Sequence, residues 1–367
     1  MRVPIDITDL LTQFSASTQA IAESDYSVKA LTRLALAAVL LKMKPKDAIL
    51  FDVDRRPWAE SSEFLSKRTL VRMQDILNPR EHHKIVVNKL DYHATCASRG
   101  IAAPQVIAVV DFEMNDGRVA AIGARRITTE TELADFLASL PPETRLALKP
   151  IIGTYARGLL CLTTNEGRIS DHTGRRWRAS EVLDHCRQDK CGFLVQPWLE
   201  PDPALHDLMP HHAFGMARII SVLVDLEPSF PFAFLKIPVG DNIADSFAGG
   251  KTQNLIAALD VVTGTLGQAY GPSQTSINRI ATCKFHPTTG HFITGFQIPR
   301  WGEVIDAVRR GARAFSEFGT LGWDVAISKD GIYLVEANHR WDPAVQITVG
   351  RGIRLDMLEF VRRAQST

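Results

Sequence analysis

Near the C-terminus two acids and an amide stand in apolar company, in Gly322-Trp323-Asp324-Val325 and then Leu334-Val335-Glu336-Ala337-Asn338. A three-residue turn Lys329-Asp330-Gly331, with glycine in the left-handed position, predicts a hairpin in which Ser328 pairs with Ile332. Counted outward from that turn, Asp324 faces Glu336 on one side of the sheet, with Cβ atoms about 5 Å apart. Asn338, two residues further on, keeps to the same face. Two carboxylates in a partly apolar setting repel each other unless a cation lies between them. Oxygen donors of this kind suit Mg²⁺ or Mn²⁺, with phosphate and water oxygens filling the remaining positions. The competing reading is an acid-bearing hairpin on a wet edge, because a one-residue slip in register turns the side chains apart.

The chain also carries cations placed to meet phosphate. Lys149 ends a predicted strand and leads through Pro150 into the glycine-bearing stretch Gly153-Thr154-Tyr155-Ala156-Arg157-Gly158. Backbone N–H groups in such a loop can close over phosphate oxygens, and the lysine adds a compact charge. The loop fits neither the P-loop nor the dinucleotide pattern. Lys89 opens a helix and could reach the same anion, although a lone surface lysine needs no such role. Gln196-Pro197-Trp198-Leu199 follows an apolar strand and could offer its backbone to an adenine edge; the alternative is an ordinary strand end. Arg218 lies inside the apolar run Met216-Ala217-Arg218-Ile219-Ile220, where a charge requires a carboxylate or a phosphate as partner.

Two polar segments are further candidates. The loop from Gly240 to Asn254 is long and glycine-bearing, a type that often holds substrate, and Asn242 and Lys251 are its candidate contacts. Asp202, His206, Asp207, His211 and His212 are ligand-type residues, but Asp-Pro and Met-Pro dipeptides make their segment read as an irregular polar loop before a second metal site.

The elements that must position these groups follow from periodicity. Residues 1–80 read as helical, with Leu31, Leu34, Leu36, Val39 and Leu40 as a buried stripe between Ser27 and Met43. From 81 to 200 helices alternate with short strands at 105–110, 146–150, 159–163 and 192–195. Beyond 200 come strands at 216–224 and 232–237, a helix from Trp301 to Phe318, and the final hairpin. Antiparallel hairpins towards the C-terminus favour an α+β fold over a doubly wound sheet.

Composition narrows the classes. Lys and Arg total 42 against 41 Asp and Glu, so no global field points to nucleic acid or a membrane surface. The longest apolar run, Leu34 to Leu41, is far short of the roughly 20 residues of a membrane span. Acids in MRVPIDITDLLTQ disagree with a secretion signal. The five cysteines, Cys96, Cys161, Cys186, Cys191 and Cys283, are dispersed and read as reduced, mostly packed thiols, so the expected compartment is the cytoplasm.

Taken in order, these pieces resemble the ATP-grasp superfamily, and within it the sugar-transfer-associated branch near glutamate-ligase-type enzymes. The stretches that carry the resemblance are Asn88-Lys89, Gly100 to Pro104, Lys149-Pro150 with its loop, Val195-Gln196-Pro197 and Ala217-Arg218-Ile219. They continue through Asp241-Asn242, Gly249-Gly250, His286-Pro287-Thr288-Thr289-Gly290, Ile298-Pro299-Arg300-Trp301 and the two acid segments. The resemblance implies a helical region over 1–80, a nucleotide-binding subdomain over 81–200 and a metal-binding subdomain over 201–367, with ATP gripped between the last two. It places Lys89 and Lys149 on phosphate, residues 196–199 on adenine, Asp324, Glu336 and Asn338 on Mg²⁺, and Arg218 on the reacting phosphoryl group. It implies attack of a small carboxylic acid on the γ-phosphate, then capture by an amine. A phosphotransferase and a nucleotide-binding protein without turnover are the alternatives. Tyr155-Ala156-Arg157 departs from the small residues of many relatives, and Arg157 is a further candidate for phosphate.

Overall fold

Strand formation divides this chain into two sheets. The computed structural model describes residues 27–111, 117–153, 156–165, 167–188, 191–210, 213–224, 227–276 and 279–366. Its longer helices are α1 (Val28–Leu40), α2 (Lys67–Leu77), α3 (Lys89–Ser98), α4 (Glu130–Ala138), α5 (Ala179–Arg187), α6 (Trp301–Ala314) and α7 (Arg354–Ala364).

The first sheet holds β1 (Ala108–Val110), β2 (Arg125–Ile127), β3 (Thr144–Pro150), β4 (Leu160–Asn165), β5 (Arg168–Asp171), β6 (Arg176–Trp177) and β7 (Phe193–Pro197), in the order β2-β1-β7-β3-β4-β5-β6. Its β1–β2 pair is parallel and its other pairs are antiparallel. Leu133, Phe136 and Leu137 of α4 and Val182 and Leu183 of α5 pack on Leu146, Leu148 and Val195.

The second sheet holds β8 (Ala217–Val224), β9 (Glu227–Ile237), β10 (Leu255–Leu259), β11 (Leu266–Pro272), β12 (Ile280–Cys283), β13 (Thr320–Ser328) and β14 (Gly331–Asn338), in the order β12-β11-β10-β9-β8-β13-β14. Successive side chains alternate across a strand, and here both faces are covered. Ile219, Leu235, Trp323 and Val325 lie in a core with α6 and with Tyr92 and Cys96 of α3. Ile220, Phe232, Phe234 and Ile256 lie in another core with the N-terminal helices and Met357 of α7. Close approach of α6 depends on Gly311, where a Cβ would sit 2.5 Å from Leu334 Cδ1. The expected α+β class with a helical N-terminal region is what the structure has.

Three expectations need correction. The stripe on α1 is misplaced: Leu34, Ala37 and Leu41 are buried, whereas Leu31 and Leu36 are each 40 % exposed, Val39 51 % and Leu40 58 %. The helix packs by its alanine-bearing side, which periodicity alone does not single out among so many apolar residues. The helix expected from Trp301 to Phe318 ends at Ala314, and Gly319 donates its N–H to Leu77 O at 2.9 Å. The final hairpin turns on two residues, Lys329 and Asp330, so Ser328 pairs with Gly331 and Ile327 with Ile332. A bulge between Asp324 and Val325 then shifts the register by one residue, and Asp324 faces Glu336 after all.

Candidate active site

Mid-sheet, β8, β9 and β13 bring three charges together. Arg218 donates from Nε to Asp324 Oδ1 at 2.6 Å and from Nη2 to Oδ2 at 2.9 Å, a bidentate fork. Lys236 Nζ lies 3.2 Å from the same Oδ1 and 2.9 Å from Asp245 Oδ2. Asp245 also accepts Met216 N–H at 3.0 Å, which ties the 240–254 loop to β8. Asp324 is 4 % exposed. Burial alone would raise its pKa, but Arg218 and then Lys236 override it and hold the carboxyl at about 2. Burial also opposes the charge on Lys236, yet Asp245 and Asp324 keep its pKa above the ordinary value. Asp245 is pushed upward by burial and by Asp324. The partner that Arg218 required is thus a carboxylate, and the cation expected between the acids is supplied in part by the chain itself.

Glu336 faces Asp324 from β14 and is half-buried. Asn338 pairs with Gly322, and its Nδ2 donates to Gly322 O at 3.3 Å. That bond uses the nitrogen and leaves Oδ1 as the atom able to serve a cation. The bulge that sets this geometry is braced from outside the hairpin. Leu334 N–H donates to Ala102 O at 2.9 Å, and Tyr92 Oη donates to Leu334 O at 2.9 Å.

The first sheet contributes Lys149 at the end of β3. Burial and the neighbouring Lys89 press its pKa down, while Glu336 of β14 and Asp245 of the 240–254 loop oppose them. Lys89 opens α3, its N–H bonding Ile151 O at 3.0 Å and its Nζ donating to Gly153 O at 2.9 Å. Lys89 therefore anchors the glycine loop on which the phosphate reading depends. Thr154 and Tyr155 of that loop lie outside the described residues. Ala156 and Gly158 adopt positive φ, 54° and 75°, and Arg157 is exposed.

In the segment 196–199 the side chains make their own contacts. Gln196 is buried, and its Nε2 donates to His93 Nε2 at 3.2 Å and to Pro104 O at 3.2 Å. Burial, then Lys149 and Lys89, bring His93 down to about 3, so the ring is neutral and its Nε2 can accept. Trp198 gives its N–H to Arg145 O at 2.8 Å, and the Arg145 guanidinium stacks 5.3 Å from the Trp198 ring centroid. Pro197 closes β7 opposite Leu146, and Leu199 follows half-buried.

Asn242 is drawn into its own loop. Its Nδ2 contacts Val239 O at 2.9 Å, Thr252 O at 2.8 Å and Asn254 Oδ1 at 2.9 Å. Lys251 is exposed, and its charge acts on Asp47 of the N-terminal region. Asp202 caps a short helical turn, Asp207 pairs with His291 at 3.3 Å, and His206 is exposed; His211 and His212 lie outside the described residues. Among the described residues no group of three His, Cys, Asp or Glu side chains is placed to hold a metal.

Lys236 and Asp245 escaped sequence reading. Lys236 bears the same signal as Arg218, a charge within an apolar strand. A depression of about 600 Å³ bordered by Phe230, Phe232, Leu259 and Val349 contains none of these charged groups.

The two sheets with their covering helices are consistent with the ATP-grasp fold. Within that superfamily the chain belongs to the sugar-transfer-associated ATP-grasp family, whose model matches residues 69–361. No curated protein sequence matches the chain. Among solved structures it is similar to the D-cycloserine synthetase, at 12 % identity over 82 % of this chain and 77 % of that one, with a TM-score of 0.43. It is similar also to D-alanine-D-alanine ligase from Helicobacter pylori, at 11 % identity over 79 % and 62 %, with a TM-score of 0.42. The ADP complex of an N5-carboxyaminoimidazole ribonucleotide synthetase follows at 13 % identity over 76 % and 52 %, with a TM-score of 0.35. The chain therefore spans less than two thirds of the length of the last two. Among the described residues no helix is long and apolar enough to cross a membrane.

Proposed function

We propose that this chain is an ATP-dependent ligase that activates a small carboxylic acid as an acylphosphate and joins it to an amine. The observation that carries the reading is the facing pair Asp324–Glu336 on one half, with Lys149 and Lys89 flanking the glycine loop on the other. A polyphosphate accompanied by a divalent cation is the ligand class that satisfies both sides at once. In this reading the three-part division at 80 and 200 is functional, with the nucleotide held between the second and third parts. Lys89 and Lys149 take phosphate oxygens, Gly153, Thr154 and Gly158 close over them, and the backbone of 196–199 meets adenine.

Glu336 and Asn338 fit a hard cation, one through a carboxylate and the other through the free amide oxygen. Asp324 would share oxygens already engaged by Arg218 and Lys236. Mg²⁺ or Mn²⁺, when bound, neutralises charge on the terminal phosphates. The protein's share of the chemistry is positioning and charge, so no nucleophilic side chain is needed. A carboxylate oxygen of the substrate attacks the γ-phosphorus, and the bond to the bridging oxygen breaks, its electron pair leaving with ADP. The amine nitrogen then attacks the acyl carbon and loses a proton as the C–O bond to phosphate breaks. In this reading Arg218, held by its fork on Asp324, bears on the transferring group.

The test is a phosphate-release screen of carboxylic acids crossed with amines at fixed ATP and Mg²⁺. Release that requires both partners is expected, and Glu336→Gln should lower it about a hundred-fold or more, since the ion's contribution is worth several kcal/mol. ADP formation from a single substrate without phosphate release would overturn the ligase reading in favour of a phosphotransferase.

A further inference from the structure

Directly after Asn338 the chain leaves the sheet, and three successive carbonyls are received by side chains from the N-terminal region. His339 O accepts from Asn78 Nδ2 at 2.7 Å, Arg340 O from Lys67 Nζ at 3.3 Å, and Trp341 O from Gln74 Nε2 at 3.0 Å. Asn78 is fully buried, and its Oδ1 accepts the N–H of Thr320 at 3.0 Å. One amide therefore joins the first residue of β13 to the residue following β14, continuing the ladder beyond the Gly322–Asn338 pair. Thr320 is fixed in turn: its Oγ1 donates to Ser221 O at 2.9 Å and accepts from Trp341 Nε1 at 3.1 Å. Leu77 O accepts from Gly319, so the end of α2 is stitched to the entry of β13 at two adjacent residues.

We infer that Asn78 is a positioning residue for the cation-binding pair Glu336 and Asn338, which makes α2 a working part of the site. A strand end normally frays once its ladder stops, and Asn338 is the last paired residue of β14. With Asn78 in place, residue 339 is as firmly held as a paired one, and the Asn338 amide keeps its orientation. Groups that orient metal ligands from behind typically change affinity by about 10- to 100-fold when removed. The inference rests on the metal reading above, and the experiment separates the two.

The experiment measures Mn²⁺ binding to the full chain without turnover, by the loss of the free-ion electron-spin-resonance signal, beside thermal unfolding. Wild type should bind, and Glu336→Gln should not. Asn78→Asp, which retains an acceptor for Thr320 but faces His339 O with an oxygen, should weaken binding about ten-fold or more while still unfolding cooperatively. Gln74→Leu serves as a second variant should the first not fold. Among the described residues its Oε1 has no hydrogen-bond partner, so that substitution removes one donor to Trp341 O and is expected to give a smaller loss in the same direction. Wild-type Mn²⁺ affinity in a folded Asn78→Asp protein, with Glu336→Gln inactive in binding, overturns this inference alone. A wild type that binds no Mn²⁺ removes the metal reading and this inference together.

Discussion

On the second sheet Arg218, Lys236 and Asp324 meet across β8, β9 and β13 and neutralise one another, with Asp245 of the neighbouring loop. On the other half Lys149 ends β3 and Lys89 opens α3, both beside the glycine loop. Arg218, Lys236 and Asp324 have their partners within 3.2 Å before any ligand arrives. Lys149 meets burial and the like charge of Lys89, offset in part by Glu336. One half is thus preorganised at the expense of buried ion pairs. The other keeps positive charge that is offset only in part, which a phosphate would relieve. The difference teaches where stability and where ligand affinity should respond to substitution.

The largest effect should come from breaking the neutralised half. Asp324→Asn leaves Arg218 and Lys236 buried without their shared anion, and breaking such a pair costs about 3–5 kcal/mol in unfolding free energy. Denaturant titration measures it, and a loss below about 1 kcal/mol would show that the cluster is not preorganised. The same variant should flatten the acid limb of stability. The folded pKa of Asp324, about 2, lies below its ordinary 3.8, so its contribution is complete above about pH 4 and is lost as pH falls towards 2.

On the other half the expected order reverses. Lys149→Met should leave the unfolding midpoint nearly unchanged, because it removes a charge that burial disfavours. It should weaken ATP binding about 10- to 100-fold, the range for a hydrogen-bonded charge. Calorimetric titration decides, and unchanged ATP affinity would dissolve the contrast between the halves. The smallest effect is expected from Gly158→Ala. Its φ of 75° and the 2.9 Å approach of a new Cβ to Pro150 Cγ strain the loop by roughly 1–2 kcal/mol. That strain should appear as weaker nucleotide binding without a change in cation affinity.

Legibility in the sequence followed the range of the forces involved. Strands and the α+β class were readable because alternation and turn residues act locally. The facing of Asp324 and Glu336 was reached by two errors that cancel: a turn taken as one residue too long, and an unseen bulge. The bulge is braced by Tyr92 and Ala102, more than two hundred positions away, and no local pattern announces it. The bonds of Asn242 within its own loop were not legible, because a polar loop side chain looks the same whether it serves a ligand or the loop itself. On α1 the abundance of leucine hid the packed face, which burial of Ala37 reveals. Lys236 could have been found by the argument applied to Arg218.

Strand β14 is the last in its sheet, and the outward-facing N–H and C=O of Leu334 would ordinarily invite another chain to add a strand there. Ala102 and Tyr92 occupy both groups, so the margin of the sheet is sealed at its centre from within the same polypeptide. The acidic hairpin is thereby shielded from edge-to-edge aggregation.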